Sequence, residues 1–388
     1  MATRTGAAAP TLWRDLLAIM AGNTLVGMAI SFTAPLLALV LEARGYSAFT
    51  IGLNSAVASV GIFLTAPFLP WLLRRFGPIR CIQAGTVVVA AALLSLTLSE
   101  SIVWWFVIRL LIGIALSVPF VFCEAAVNAL ADDASRGKVI GIYGTLFSAG
   151  FAAGPLVLAA VGSQGVLPFA VGAAILVLGV LPVGLAVNAD RAMSISNEIR
   201  LPMVWTRAPL PLVAICAYGF VEVALFGLYP VYGLSVGMTG AGVGVEIAIL
   251  LAGSCLLQMP IGWLADHLPR ASLLLACSLS SVVLILLLPL ATQDTLVRWA
   301  VLVLAGGTLG GLYTMALVLL GERFTGADLA VANTAFVMFF QIGAVAGPSL
   351  SGLGMSLFGP FALLPTLALA LGATAIVHLA RSRRGASP

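Results

Sequence analysis

Charge is what this sequence has least of. Asp, Glu, Lys and Arg together make up 8% of its 388 residues, against about 25% in a soluble domain. That shortfall excludes a water-soluble globule, a coiled coil and a disordered chain, and it excludes nucleic-acid binding despite a formal net charge of +4. Lysine is nearly absent: Lys138 stands beside seventeen arginines, which with abundant Ala, Gly and Leu suggests a GC-rich bacterial genome. The five cysteines (Cys81, Cys123, Cys216, Cys255 and Cys277) all lie in apolar runs and form no Cys-x-x-Cys spacing. A disulfide framework or a metal site is therefore not expected. Walker, His-Glu-x-x-His and Gly-x-Ser-x-Gly motifs are missing too, so neither an enzyme nor a bound cofactor is expected.

Apolar residues, 61% of the chain, fill the space that charge leaves. A membrane-spanning helix needs roughly 20 of them in succession. Twelve such segments can be read, at about 14–41, 50–73, 80–99, 102–130, 138–162, 165–188, 209–236, 243–265, 270–291, 296–321, 327–355 and 359–380. The first runs on too far to be a cleaved signal peptide. The longest break, 189–208, holds Asp190, Arg191, Glu198, Arg200 and Arg207 and reads as a linker between six-helix halves at 1–188 and 209–388. If both termini are cytoplasmic, fifteen of the eighteen Arg and Lys residues fall inside and only Arg44 and Arg298 outside, with Arg109 left in the membrane. The excess of positive charge on the inner side selects that orientation.

The halves repeat one another. FSAGFAAGPLVLAAVG (Phe147 to Gly162) matches FFQIGAVAGPSLSGLG, so that Gly150, Gly154 and Pro155 recur 193 residues later as Gly343, Gly347 and Pro348. PWLLRRFGPIR (Pro70 to Arg80) likewise precedes GWLADHLPR (Gly262 to Arg270) by 192 residues. A six-plus-six duplication is a transporter architecture, with the substrate site near the midplane between the halves. Glycines four apart let helix backbones approach closely in lipid, and a following proline frees a carbonyl and bends the helix.

On these elements the sequence resembles the major facilitator superfamily over essentially its full length. The run from Gly262 through Asp266 to Arg270 resembles the family's cytoplasmic loop motif. In the first-half counterpart Arg75 and Gly77 fit, while Pro70 and Arg74 stand where glycine and aspartate belong. Arg109-x-x-x-Gly113 resembles the family's membrane-embedded arginine motif, and Gly150-x-x-x-Gly154-Pro155 the element associated with antiporters and drug exporters. The resemblance implies an all-α membrane protein of twelve helices in two pseudo-symmetric bundles, with Asp266 as a gate contact. It further implies that the first, fourth, seventh and tenth helices line a central cavity.

Ionisable groups inside a membrane are expensive, so each is a functional candidate. Arg109 shares a helical face with Gly113, Ser117, Phe120, Glu124 and Asn128, a stripe suited to a cavity. Glu124 lies about 22 Å from Arg109 along the axis, too far to pair, and with Asn128 it marks the cytoplasmic mouth. Glu222 falls mid-membrane with Tyr218 and Tyr229 on its face. Burial disfavours the charged form of a carboxylate, which suits a proton carrier. Arg109 is then its counter-ion or an anion anchor, and the competing reading is a buried glutamate held by hydroxyls beside a structural arginine. Asn23, Tyr143, Gln258, Tyr313 and Gln341 complete the polar set, either as ligand contacts or as interhelical hydrogen bonds; Asn333 belongs to the same set. Glu246, near an outer helix end, is expected to be wet.

The expected protein is a proton-driven secondary transporter of a small organic molecule, monomeric in the bacterial inner membrane. Efflux by antiport is the first choice, on the Gly150 element and the aromatic cavity helices. Proton-symport uptake of a small organic anion on Arg109 is the alternative, and a non-transporting sensor or scaffold the alternative of another class.

Overall fold

Runs of apolar residues that are hydrophobic all round satisfy their backbone only as helices when water is excluded. The computed structural model describes residues 9–130, 136–184 and 201–383, and these are helical apart from turns. In order the helices are α1 (Ala9–Ala43), α2 (Ala48–Thr65), α3 (Leu69–Phe76), α4 (Pro78–Ser95), α5 (Ile102–Leu130), α6 (Arg136–Val161) and α7 (Leu167–Val183). There follow α8 (Leu201–Arg207), α9 (Pro209–Ser235), α10 (Gly240–His267), α11 (Arg270–Leu287), α12 (Thr295–Gly321), α13 (Gly326–Phe358) and α14 (Leu363–Arg383). Among the described residues eleven helices are long and apolar enough to cross a membrane, and α7 is a shorter apolar helix. Their outward faces carry large apolar side chains in the open: Met259 of α10, Leu296 of α12 and Leu369 of α14 are each at least 75% exposed. Such a surface suits lipid, since soluble proteins rarely expose apolar patches of this extent.

Two stretches differ from the sequence reading. The 50–73 run breaks after Thr65, where Ala66, Pro67 and Phe68 form a turn before the short α3. Part of the 189–208 stretch is also helical, as α8.

Two compact units make up the chain. The first comprises 1–33, 60–154 and 164–195; the second comprises 34–59, 155–163 and 196–388. In the first, Leu16, Ile19 and Met20 of α1 form a core with Leu69 and Leu73 of α3, Ile79 and Ile82 of α4, and Val139 of α6. Here α6 lies close on α1: a Cβ on Gly150 would stand 2.4 Å from the Thr24 carbonyl, and one on Gly154 2.4 Å from that of Met28. In the second unit, Gly343 and Gly347 of α13 meet the Cys216 and Phe220 carbonyls of α9 at 1.9 and 2.1 Å in the same way. Both copies of the Gly-x-x-x-Gly-Pro element therefore do the same packing work. Also within the second unit, the start of α2 lies along α13, with the Phe49 amide donating to Ser356 Oγ at 3.0 Å.

Gly77 joins α3 to α4 with φ 83° and ψ 141°. A side chain strains that backbone by roughly 1–3 kcal/mol. Gly77→Val is therefore expected to lower the thermal unfolding midpoint of purified protein; an unchanged midpoint would show that the turn relaxes freely.

Candidate functional site

A cavity lies in the second unit between α9, α10 and α12. It is lined chiefly by apolar side chains, including Val221, Leu225, Phe226, Leu251, Leu302 and Leu309. Two carboxylates, Glu222 and Glu246, also line it. Its walls are set by unusually close helices. A Cβ on Gly253 of α10 would stand 2.1 Å from the Val303 carbonyl of α12, and one on Gly306 1.7 Å from the Leu250 carbonyl. The runs Gly306-Gly307 and Gly310-Gly311, four residues apart, supply this seam. Reading i,i+4 glycines in every segment would have found it.

Glu222 and Tyr218 sit one turn apart on α9, and the Tyr218 hydroxyl donates to Glu222 Oε1 at 3.0 Å. Aromatic rings gather around the Tyr218 ring. Tyr218 packs on Tyr313 of α12 at 5.2 Å between centroids and on Phe340 of α13 at 6.2 Å, and Tyr313 meets Phe336 edge-on at 5.7 Å. Glu222 has no ion-pair partner among the described residues.

Glu246 is solvated in the sequence reading but buried in the structure, 6% exposed. Side-chain caps start both helices that bring its partner to it: Thr239 Oγ1 accepts from the Gly242 amide at α10, and Asp294 Oδ1 from the Leu296 amide at α12. Two turns into α10, Glu246 meets Arg298 from the first turn of α12. Arg298 Nη2 donates to Glu246 Oε2 at 2.9 Å, and Nε stands 2.6 Å from Oε1. Tyr229, placed by sequence on the Glu222 face, donates its hydroxyl to Glu246 instead. Arg298 also reaches Met238 Sδ at 3.0 Å. The end of a segment suggests water, but α9 covers this one with Tyr229 and the fully buried Tyr232.

In the first unit, Arg109 is 7% exposed, with its Nε lacking an acceptor. It forms no ion pair among the described residues. The stripe read as cavity lining is a packing face at Gly113, where Gly61 of α2 would place a Cβ 3.0 Å from the Gly113 carbonyl carbon. Ser117 is satisfied on its own helix, donating to Ile114 O at 2.7 Å. The side chains of Phe120, Glu124 and Asn128 lie outside the described residues. Asn23 Nδ2 donates to the Tyr143 hydroxyl at 2.8 Å. Tyr143 begins a stack continued by Phe147 and Phe151 one and two turns on. Of the remaining polar candidates, Gln258 and Asn333 are exposed, and Gln341 is 3% exposed with Oε1 unpaired.

At the loop after α10, Asp266 is exposed, while Arg270 pairs with Glu322 at the end of α12. Glu322 escaped the sequence reading because its partner lies 52 residues away. In the first-half counterpart Arg75 lies over the Phe76 ring, 5.8 Å from its centroid.

A family model described as Major Facilitator Superfamily matches residues 19–250 and 211–388. The chain belongs to the major facilitator superfamily. Among its relatives, the MFS-type transporter YfkF of Bacillus subtilis (strain 168) is 26% identical over 338 residues, 86% of each chain. YcaD of Salmonella newport (strain SL254) is 25% identical over 349 residues, 89% of this chain and 90% of that one. Among solved structures, the nucleoside transporter NupG superposes with a TM-score of 0.75 at 13% identity, covering 97% of this chain and 100% of that one. An inward-facing, unoccupied bacterial homologue of the human lysosomal transporter Spinster gives 0.74 at 14% identity, over 96% of each chain. The D-xylose-proton symporter gives 0.70 at 15%, over 93% and 97%. This major facilitator is thus a multi-pass membrane transporter embedded in the bilayer, and not an enzyme.

Proposed function

We propose that this transporter exports small amphipathic organic molecules in exchange for protons, by alternating access of two six-helix halves, 1–188 and 209–388, joined by 189–208. It works as a monomer in the bacterial inner membrane with both termini cytoplasmic, as the distribution of arginine favours, and draws its energy from the proton gradient. One observation carries the reading: Glu222 lines an apolar cavity with a neutral tyrosine as its hydrogen-bond donor and no ion-pair partner among the described residues. Low dielectric penalises a lone carboxylate, so protonation and deprotonation there have large consequences. Glu246 lines the same cavity but is matched by Arg298, which makes it a strut and leaves Glu222 as the carrier.

A second reading has its own support. Arg109 is a buried guanidinium with an unmet donor, which favours an organic anion taken up with protons. Flux in proteoliposomes under an imposed pH gradient separates the two. Substrate moving against the proton flow supports export, movement with it supports uptake, and an absence of flux across a broad solute panel supports a scaffold.

A further inference from the structure

We infer that the pocket at Glu222 selects organic cations, holding a positive charge between the Glu222 carboxylate and the surrounding aromatic rings. The inference rests on the transport reading above and names its substrate class. Two carboxylates line one cavity, and they differ in one respect. Glu246 has a cation beside it, Arg298, and Glu222 has none among the described residues. Moving a charged carboxylate out of water without a partner costs several kcal/mol. Glu222 is therefore either protonated or accompanied by a positive charge from outside.

The surroundings choose the kind of cation. Tyr218, Phe226 and Tyr229 bring three rings of α9 to the cavity that Glu222 lines, and Tyr313 and Phe340 pack on the Tyr218 ring. Ring faces attract a desolvated cation, quaternary ammonium included. An inorganic cation needs several oxygen ligands, and no group of three His, Cys, Asp or Glu is assembled among the described residues. The remaining lining is apolar, as in most small-molecule pockets. An apolar body bearing one positive charge matches both features, whereas an anion would meet Glu222 as a like charge.

Proton and cation then contend for one carboxylate, so lower pH weakens cation binding. The titratable groups near the Tyr218–Glu222 pair are Cys255 on α10 and Tyr313 on α12, both beside Tyr218, while Glu246 lines the cavity further along with Arg298 as its ion-pair partner. Tyrosine and arginine ordinarily titrate far above neutrality, and Glu246 is held by Arg298.

The test is calorimetric titration of the purified full-length protein with phenyltrimethylammonium and, separately, benzenesulfonate. The cation is expected to bind wild type, to weaken as pH falls, and to lose about thirtyfold or more of its affinity in Glu222→Gln. Phe226→Leu, which removes a ring from the cavity lining, should weaken it less, and benzenesulfonate should not bind. Equal cation affinity in Glu222→Gln and wild type, or preference for benzenesulfonate, would overturn the inference. Wild type that binds neither probe overturns it as well, while flux of another solute would keep proton-coupled transport standing. If Glu222→Gln does not fold, the pH series on wild type decides: affinity independent of pH rejects the inference.

Discussion

Arg298→Ala is expected to strip roughly 3–5 kcal/mol from the folded protein, a large share of a total stability of about 5–15 kcal/mol. The guanidinium and the Glu246 carboxylate are each 6% exposed and meet through two nitrogens and two oxygens. Truncating Arg298 leaves a buried carboxylate with only the Tyr229 hydroxyl as donor. The expected signs are a much lower thermal unfolding midpoint and poor recovery from membranes. A double replacement, Glu246→Leu with Arg298→Met, removes both charges and should recover much of the loss, because no charge is then held out of water and only the Tyr229 hydroxyl loses its acceptor. Were Arg298→Ala within about 1 kcal/mol of wild type, the pair would be an accessible surface contact and Glu246 no strut.

Gly306→Val should be comparably damaging for a steric reason. Its Cβ would fall 1.7 Å from the Leu250 carbonyl oxygen, and what stands there is backbone rather than a flexible side-chain end. Overpacking typically costs about 1–3 kcal/mol, and more when the neighbours cannot shift. Here the penalty also reaches the cavity, since separating α10 from α12 moves Glu246 away from Arg298. Gly262 provides the internal control. It lies on α10, and a Cβ there meets nothing within 4 Å, so Gly262→Ala should be neutral or raise stability by up to about 1 kcal/mol through helix propensity. Equal unfolding midpoints for the Gly306 and Gly262 variants would contradict the seam.

What could be read in advance follows from the range of the interactions. Segment length and hydrophobicity are local, so the apolar helices could be placed from composition, and Pro67 is the local feature that ended α2 early. Tyr218 and Glu222 are four apart on one helix, so their contact could be anticipated from helical geometry. Glu246 and Arg298 are 52 residues apart, and their meeting depends on the register of α10 against α12, which glycines on both helices fix. Nothing along either segment states that register. Tyr229 shows the same limit: its shared face with Glu222 is legible and it lines the same cavity, but its bond to the carboxylate of the neighbouring helix is not legible along α9. The Gly113 stripe is ambiguous in another way. Small residues suit either a cavity or a close helix, and only α2, placing Gly61 against it, decides between them.

The central claim is that Glu222 carries the proton that drives transport. The most direct measurement is solute flux in proteoliposomes under an imposed pH gradient, comparing wild type with Glu222→Gln at equal, verified incorporation. The predicted result is gradient-driven flux in wild type and its loss in Glu222→Gln, with any residual flux indifferent to pH. Glu222→Gln that moves solute at the wild-type rate with the wild-type pH dependence would contradict it.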